Sequence, residues 1–373
     1  MNTKIIQNWP EFDSLETEWN ELLSRSHADA IFLRWEWIRA WIDAVGKTLR
    51  PFVVCARDPG GRLCGLAPLY LSEFRLGGVI PYRALRVMGD YASGADYLDW
   101  IIREDCEQEA TLAIVKTLDG AKDRWDCIWV PNVSGWNGAC ERISSACEQE
   151  GFFLHERPRD FSSFELPKSI DAYLRSQSQN MRQQVKGDMK RVLGRNGISI
   201  SRCGSEEELS DFLEALFKLH YLRWKQAGEL GTFRRKPAEE RFYRLFAPVA
   251  LRKGWLRISG LKEQGEFKAV QLGYVYRNVF HQMQEGFDPE YVRGAGNVLR
   301  ARVIEECITE GIEVYDFLGE MTEHKRRWLA KERTGHDLFI GNRNIRSRLL
   351  FWKEVWPTGR YLRPAGIPGT ATR

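Results

Sequence analysis

From Tyr291 the chain reads Tyr-Val-Arg-Gly-Ala-Gly-Asn-Val, and apolar residues then recur at Val298, Leu299, Val303, Ile304, Cys307 and Ile308. That spacing predicts a helix over 297–310, opened by an Arg/Gly loop. Glycines ahead of a helix let the backbone come close to a ligand, and the free amides and dipole of that end attract anions. Arg293, Gly294, Ala295, Gly296, Asn297 and Val298 are therefore the candidate anion hold, and a pyrophosphate is a guest that suits it. The strand expected before the loop, 279–285, carries titratable groups. Side chains alternate faces on a strand, which sets His281, Met283 and Glu285 together and Phe280, Gln282 and Gln284 opposite. Glu285 is the first candidate for a general base and His281 the second, with an ion pair to an arginine as the other role open to Glu285.

The elements around this segment occur twice. Pro51–Leu71 and Trp255–Tyr276 each read as a hairpin, turning at Asp58-Pro59-Gly60-Gly61 and at Glu263-Gln264-Gly265-Glu266. After the first come strands near 84–88 and 96–102, a helix near 105–119, a strand at 125–130, a helix at 138–150 and a strand near 152–156. After the second come strand 279–285, helix 297–310, strand 312–318, helix 323–332 and strand 336–341. Helical stretches rich in Trp and Leu, 32–44 and 207–228, open the two halves. This is the pattern of a tandem duplication of one α/β unit. The reading gives an N-terminal domain over 1–165, a C-terminal domain over 166–345 and a helix with a flexible tail over 346–373. Only the second half has the Arg/Gly loop; in the first, Arg103-Glu104-Asp105 precedes the equivalent helix, and its acids would repel a phosphate.

The 373 residues carry 55 basic and 51 acidic side chains, a net +4, which is too balanced for a protein that coats nucleic acid. The amino terminus lacks a signal-peptide apolar run, and no stretch reaches membrane-spanning length, so the expectation is a cytoplasmic protein without a membrane span. Eight cysteines show no CxxC pair and six histidines no HExxH. Reduced, buried thiols and no metal site are expected.

Several passages resemble a known family. Gln179-Asn180-Met181-Arg182, His220-Tyr221-Leu222-Arg223-Trp224, Gly286-Phe287-Asp288-Pro289-Glu290-Tyr291, Gly296-Asn297-Val298-Leu299, Tyr315-Asp316-Phe317-Leu318-Gly319 and His324-Lys325-Arg326-Arg327-Trp328 are similar to tandem-GNAT acyltransferases of the bacterial cellulose-biosynthesis-associated type, and more distantly to the Fem-type aminoacyl ligases. The resemblance implies an α/β fold of two tandem GNAT-like domains, each a mostly antiparallel sheet flanked by helices. It implies acetyl-CoA or another acyl-CoA as donor, with its pantetheine arm between strands 279–285 and 312–318 and its pyrophosphate on the amides of 294–298. The partners are then the small-molecule donor and an amine or hydroxyl acceptor, of an amino sugar or polysaccharide precursor. The alternatives are an aminoacyl-tRNA-dependent transferase, in which tRNA becomes a partner, and a non-enzymatic scaffold of a polysaccharide machinery. The family's loop is Arg or Gln, two residues, Gly, one residue, then Gly or Ala; Val298 departs from it at the last place.

Four further positions bear on such a site. Asp316 lies in an otherwise apolar strand and needs a partner, either loop amides or substrate. Lys325 is a contact for acceptor or phosphate by resemblance, or a solvated lysine beside Glu323. His220 and Trp224 share a helix face and either flank a cleft or pack in the core. Arg182, with Lys186 and Lys190, flanks the apolar stripe of helix 179–195 and is either solvated or open to an anion.

Overall fold

The computed structural model describes residues 1–352 apart from 47 and 77–79; the tail expected beyond helix Ile345–Trp352 lies outside them. The chain forms two compact units, Met1–Arg159 with the segment from Thr334, and Asp160–Arg333.

The first unit contains β1 (Asn2–Ile6), α1 (Glu16–Leu23), α2 (Trp35–Val45), β2 (Val53–Arg57), β3 (Leu63–Ala67), β4 (Leu69–Leu76), β5 (Ile80–Val87), α3 (Glu107–Gly120), β6 (Cys127–Ser134) and α4 (Ala139–Gln149). β1, β2 and β3 pair antiparallel, as do β4 and β5. Pro68, which has no amide hydrogen for a ladder, separates β3 from β4. β5 and β6 run parallel, joined through α3. Trp35, Trp37 and Trp41 on α2 are buried, so these rings build core.

The second unit takes up the end of β7 (Phe153–Glu165) and continues through α5 (Ile170–Ser176), α6 (Gln179–Leu193), β8 (Ile198–Arg202), α7 (Glu206–Gln226), α8 (Gly231–Arg235), α9 (Pro237–Arg252), β9 (Leu256–Glu263), β10 (Glu266–Tyr276), β11 (Val279–Phe287), α10 (Ala295–Thr309), β12 (Val314–Asp316) and α11 (Glu323–Arg327). β8 to β11 pair antiparallel in order. β11 and β12 then run parallel, joined through α10. Both units thus pass from an antiparallel run to a parallel pair with a helical crossover, which is the repeat the sequence predicts.

The closing strands differ from expectation. The strand predicted near 152–156 extends to Glu165, and its last residues pair with β12, Asp316 opposite Ser163. The strand predicted at 336–341 forms within β13 (Lys331–Gly341), but it pairs antiparallel with β6 of the first unit. The second unit therefore runs over 160–333 rather than 166–345. Strand pairing is long-range, and element order along the chain does not specify it.

Helix α10 is held by its buried stripe, Val298, Leu299, Val303 and Ile304, each fully buried aliphatic contributing about 1.5–3 kcal/mol. The stripe packs on a ring cluster in which Tyr315 lies 4.9 Å from Phe280 and 5.5 Å from Phe164. Its N-terminus is unlike those of α6 and α7, which Ser178 and Ser205 cap through their side-chain oxygens. Gly294 has no side chain to offer, and no acid stands in the first turn of α10. Among the described residues no side chain caps this end of α10.

Candidate functional site

β11 and β12 pair only as far as His281 opposite Asp316. Beyond that point β11 runs on to Phe287, while the other chain turns away through Leu318 (φ +57°) and Gly319 (φ +40°). A cavity of about 710 Å³ opens in the divergence. Gln282, Glu285 and Phe287 line one wall; Phe317, Thr322, His324 and Lys325 line another; Arg293, Gly294, Ala295, Gly296 and Asn297 line a third side.

A β-bulge decides which side chains face it. The β10–β11 register passes from Leu272 opposite Gln284 to Gly273 opposite Gln282, leaving Met283 without an opposite residue. Such an insertion reverses the alternation beyond it. Gln282 and Glu285 therefore share the cavity face, with Gln282 Nε2 3.3 Å from Glu285 Oε2. Gln284 faces α9, its Nε2 3.3 Å from Glu239 Oε1. The expected grouping of His281 with Glu285 does not form: buried His281 turns to Asp316, Nδ1 to Oδ2 3.3 Å, and neither lines the cavity.

Glu285 is an ion-pair hub rather than a free base. Arg223 Nη1 meets its Oε1 at 2.8 Å and Arg300 Nη2 bonds its Oε2. Burial pushes the carboxyl up, but Arg300 and Arg223, with His324, outweigh it and bring it down to about 2. A carboxylate so stabilised accepts a proton poorly. Arg300, only 3% exposed, also bonds His324 Nε2 at 2.9 Å and lies over the Trp328 ring at 5.3 Å. Since a guanidinium has only donors, His324 Nε2 accepts and carries no proton.

The loop side is shaped by Asp188. Gly294 adopts φ +107°, and a Cβ there would stand 2.5 Å from the Asp188 carboxyl carbon. Asp188 accepts from Asn297 Nδ2 at 2.8 Å and Arg191 Nη1 at 2.9 Å, while the same Arg191 nitrogen donates to the Arg293 carbonyl at 2.9 Å. Gly296 is different: a Cβ would meet only the Phe287 ring, at 3.4 Å. Val298 leaves the expected anion hold, because its amide donates to Gly294 O at 2.9 Å and its side chain is buried. The hold narrows to 293–297.

Asp316 and Lys325 shape the opposite wall. Asp316 Oδ1 accepts from the Leu318 amide at 2.8 Å, the loop-amide alternative. Lys325 Nζ donates to the Leu318 and Glu320 carbonyls at 2.6 and 2.8 Å, and Ser162 Oγ donates to the Leu318 carbonyl at 2.7 Å. These bonds hold Leu318 in a left-handed conformation that costs a non-glycine residue about 1–2 kcal/mol.

His220 and Trp224 do not line the cavity. Trp224 Nε1 donates to His220 Nε2 at 3.0 Å, and Gly231 lets α8 close on the pair. Burial, then Arg223, pushes His220 down to about 4. With the folded value below the ordinary 6.5, the unfolded chain takes up the proton first as pH falls. Stability should therefore drop between about pH 6.5 and 4, by up to about 3 kcal/mol, in urea unfolding at the two ends of that window. His220→Gln should flatten that slope. Arg182 also lies elsewhere, donating to the Leu174 and Arg175 carbonyls, both at 3.3 Å.

Arg223 and Arg300 were not singled out in the sequence. Arg300 had a signal: it stands four residues from both Gly296 and Ile304, on the buried side of α10, where a guanidinium needs an acid. Arg223 is brought in by α7, which β11 approaches closely at Gly286; a Cβ there would lie 2.5 Å from the His220 amide nitrogen.

Among the described residues no group of His, Cys, Asp and Glu could hold a metal, and no helix is long and apolar enough to cross a membrane. Seven cysteines are buried, Cys106 is half-buried and all are free. Residues 179–326 match the acetyltransferase (GNAT) domain family. No curated protein sequence matches the chain. Its fold is similar to the crystal structure of FemX, with TM-score 0.62 at 13% identity over 95% of this chain and 100% of that one. It is also similar to a conserved protein of unknown function from Bacteroides thetaiotaomicron, with TM-score 0.52 at 13% identity over 91% and 100% of the two chains. The fold is mixed α/β, and the domain matched to the GNAT family contains the whole cavity.

Proposed function

We propose that the chain is an acyltransferase whose second unit takes an acyl-CoA as donor and passes the acyl group to an amine or hydroxyl. The observation that carries this reading is the cavity at the β11–β12 divergence, bordered by the uncapped N-terminus of α10. The residues suit the donor. The amides of 294–297 and Arg293 would hold a pyrophosphate, and Gly296 leaves room for its approach. The open edge of β11 beyond His281 suits an arm that carries amide groups. When bound, the donor supplies the thioester carbon that the acceptor attacks.

The chain's own residues then divide the work. Arg223 and Arg300 are the cations available to the thioester oxygen as negative charge develops there. Glu285 fixes both guanidiniums. Lys325 and Asp316 keep the 318–320 wall in place. An alkylamine at pH 7 is neutral in only about a thousandth of molecules, a cost of roughly 4 to 5 kcal/mol. A carboxyl held near 2 does little to offset that, and a hydroxyl, which holds its proton more tightly still, would need a base even more, so a weakly basic amine that is already neutral at pH 7 is the acceptor favoured. The motif likeness to the cellulose-biosynthesis-associated group directs the acceptor toward an amino sugar or polysaccharide precursor, and an acyl-CoA donor fits a cytoplasmic setting. The test is thiol release from acetyl-, succinyl- and longer acyl-CoAs with a panel of sugars and amino sugars. Turnover with at least one pair is expected; donor hydrolysis no faster than background across the panel would remove the reading.

A further inference from the structure

A second cavity, of about 330 Å³, lies in the same unit between α5, α6 and α10, and shares no lining residue with the first. Its interior is apolar, with Met181, Val185, Met189, Ile308 and Trp328 among its walls. One polar group intrudes. Gln177, 6% exposed, donates Nε2 to Tyr173 Oη at 2.8 Å, and its Oε1 has no hydrogen-bond partner among the described residues. Whichever way the amide is turned, one of its polar atoms stays unmatched in an apolar wall, which disfavours an empty cavity. The rim is basic: Arg182 and Lys186 from α6 and Arg302 from α10 stand against one acid, Glu305, which pairs with Arg302 at 2.5 Å.

We propose that this cavity binds a small aliphatic amphiphile with a carboxylate head, a medium-chain fatty or hydroxy-fatty acid. Its chain lies against the two methionines and Trp328, its head meets Arg182 and Lys186, and a hydroxyl near the head satisfies Gln177. An apolar body beneath a cationic rim excludes both a purely polar anion and a cationic amphiphile. The site stands on its own lining, whether or not the larger cavity takes an acyl donor. The two are nonetheless close: Trp328 carries the Arg300 guanidinium over its ring at 5.3 Å, and α11 ends on that tryptophan.

The experiment is a titration of the full chain, labelled with methyl-13C methionine, with decanoate, 3-hydroxydecanoate and decyltrimethylammonium. The methyl signals of Met181 and Met189 should move saturably with both acids, more tightly with the hydroxy acid, while those of Met88 and Met283 stay in place. Lys186→Glu, at an exposed position, should weaken both acids by about fivefold, and Met189→Trp, which fills the space, should abolish the shift of the remaining Met181 signal. Static Met181 and Met189 signals, equal binding of the cationic amphiphile, or unchanged affinity in Lys186→Glu would each overturn the proposal.

Discussion

Replacing Glu285 with alanine should destabilise the chain by about 3–5 kcal/mol, the cost of leaving a buried guanidinium without its acid. The geometry makes the loss one-sided. Arg300 is 3% exposed and gives Nη2 to Glu285, and Arg223 arrives at the other oxygen. Without the carboxylate, two cations face each other across an apolar cavity wall. Arg300→Met should cost less, since Glu285 keeps Arg223. The double variant should recover part of the alanine loss, because the buried Arg300 cation is gone and only Arg223, whose side chain is 32% exposed, stays without its acid. Urea unfolding of the four proteins measures this, and additive costs would show that the groups are not coupled. The pH dependence has a fixed sign. The folded carboxyl lies at about 2, below its ordinary 4.5, so its contribution is complete above about pH 5 and is lost as pH falls toward 2. Turnover should fall with stability in Glu285→Ala. In Glu285→Gln, a loss of rate without loss of donor binding would fit guanidiniums that have lost their anchor.

Gly294→Val should both destabilise the second unit and reduce donor affinity on the order of a hundredfold. A side chain at φ +107° is strained by about 1–2 kcal/mol before any contact is counted, and its Cβ would stand 2.5 Å from the Asp188 carboxyl carbon. Relief requires the loop to leave Asp188 and swing the amides of 295–297 off their line. Losing two backbone hydrogen bonds to a charged group, each worth about 1.5–3 kcal/mol, accounts for the hundredfold. Gly296→Glu separates the two effects. A Cβ there meets only the Phe287 ring at ordinary distance, so the fold should hold while a carboxylate occupies the anion hold. Thermal unfolding with and without acetyl-CoA distinguishes them: Gly294→Val lowers the midpoint in both, whereas Gly296→Glu lowers only the gain on adding ligand.

Much of this site could be read from local pattern. The loop ahead of α10 showed through glycine placement and the apolar stripe behind it, both properties of neighbours in sequence. Asp316 showed as an acid in an apolar strand, and the structure gives it the Leu318 amide and His281. What escaped was set by distant residues. Alternation along β11 paired His281 with Glu285, and a single unmatched residue at Met283 undid it; nothing in the strand's own sequence marks that bulge. Arg223 enters from a helix 62 positions away from Glu285. The closing strands escaped for the same reason, since β7 and β13 each read as a good strand and only tertiary pairing decides which neighbour each takes.

The most direct measurement of the central claim is calorimetric titration of acetyl-CoA into the full chain. One site per chain is expected, because the Arg/Gly loop occurs only in the second unit, and Gly296→Glu should remove the binding while the protein stays folded. Absence of binding to the folded wild-type chain, or undiminished binding in Gly296→Glu, would contradict an acyl-CoA held at the N-terminus of α10.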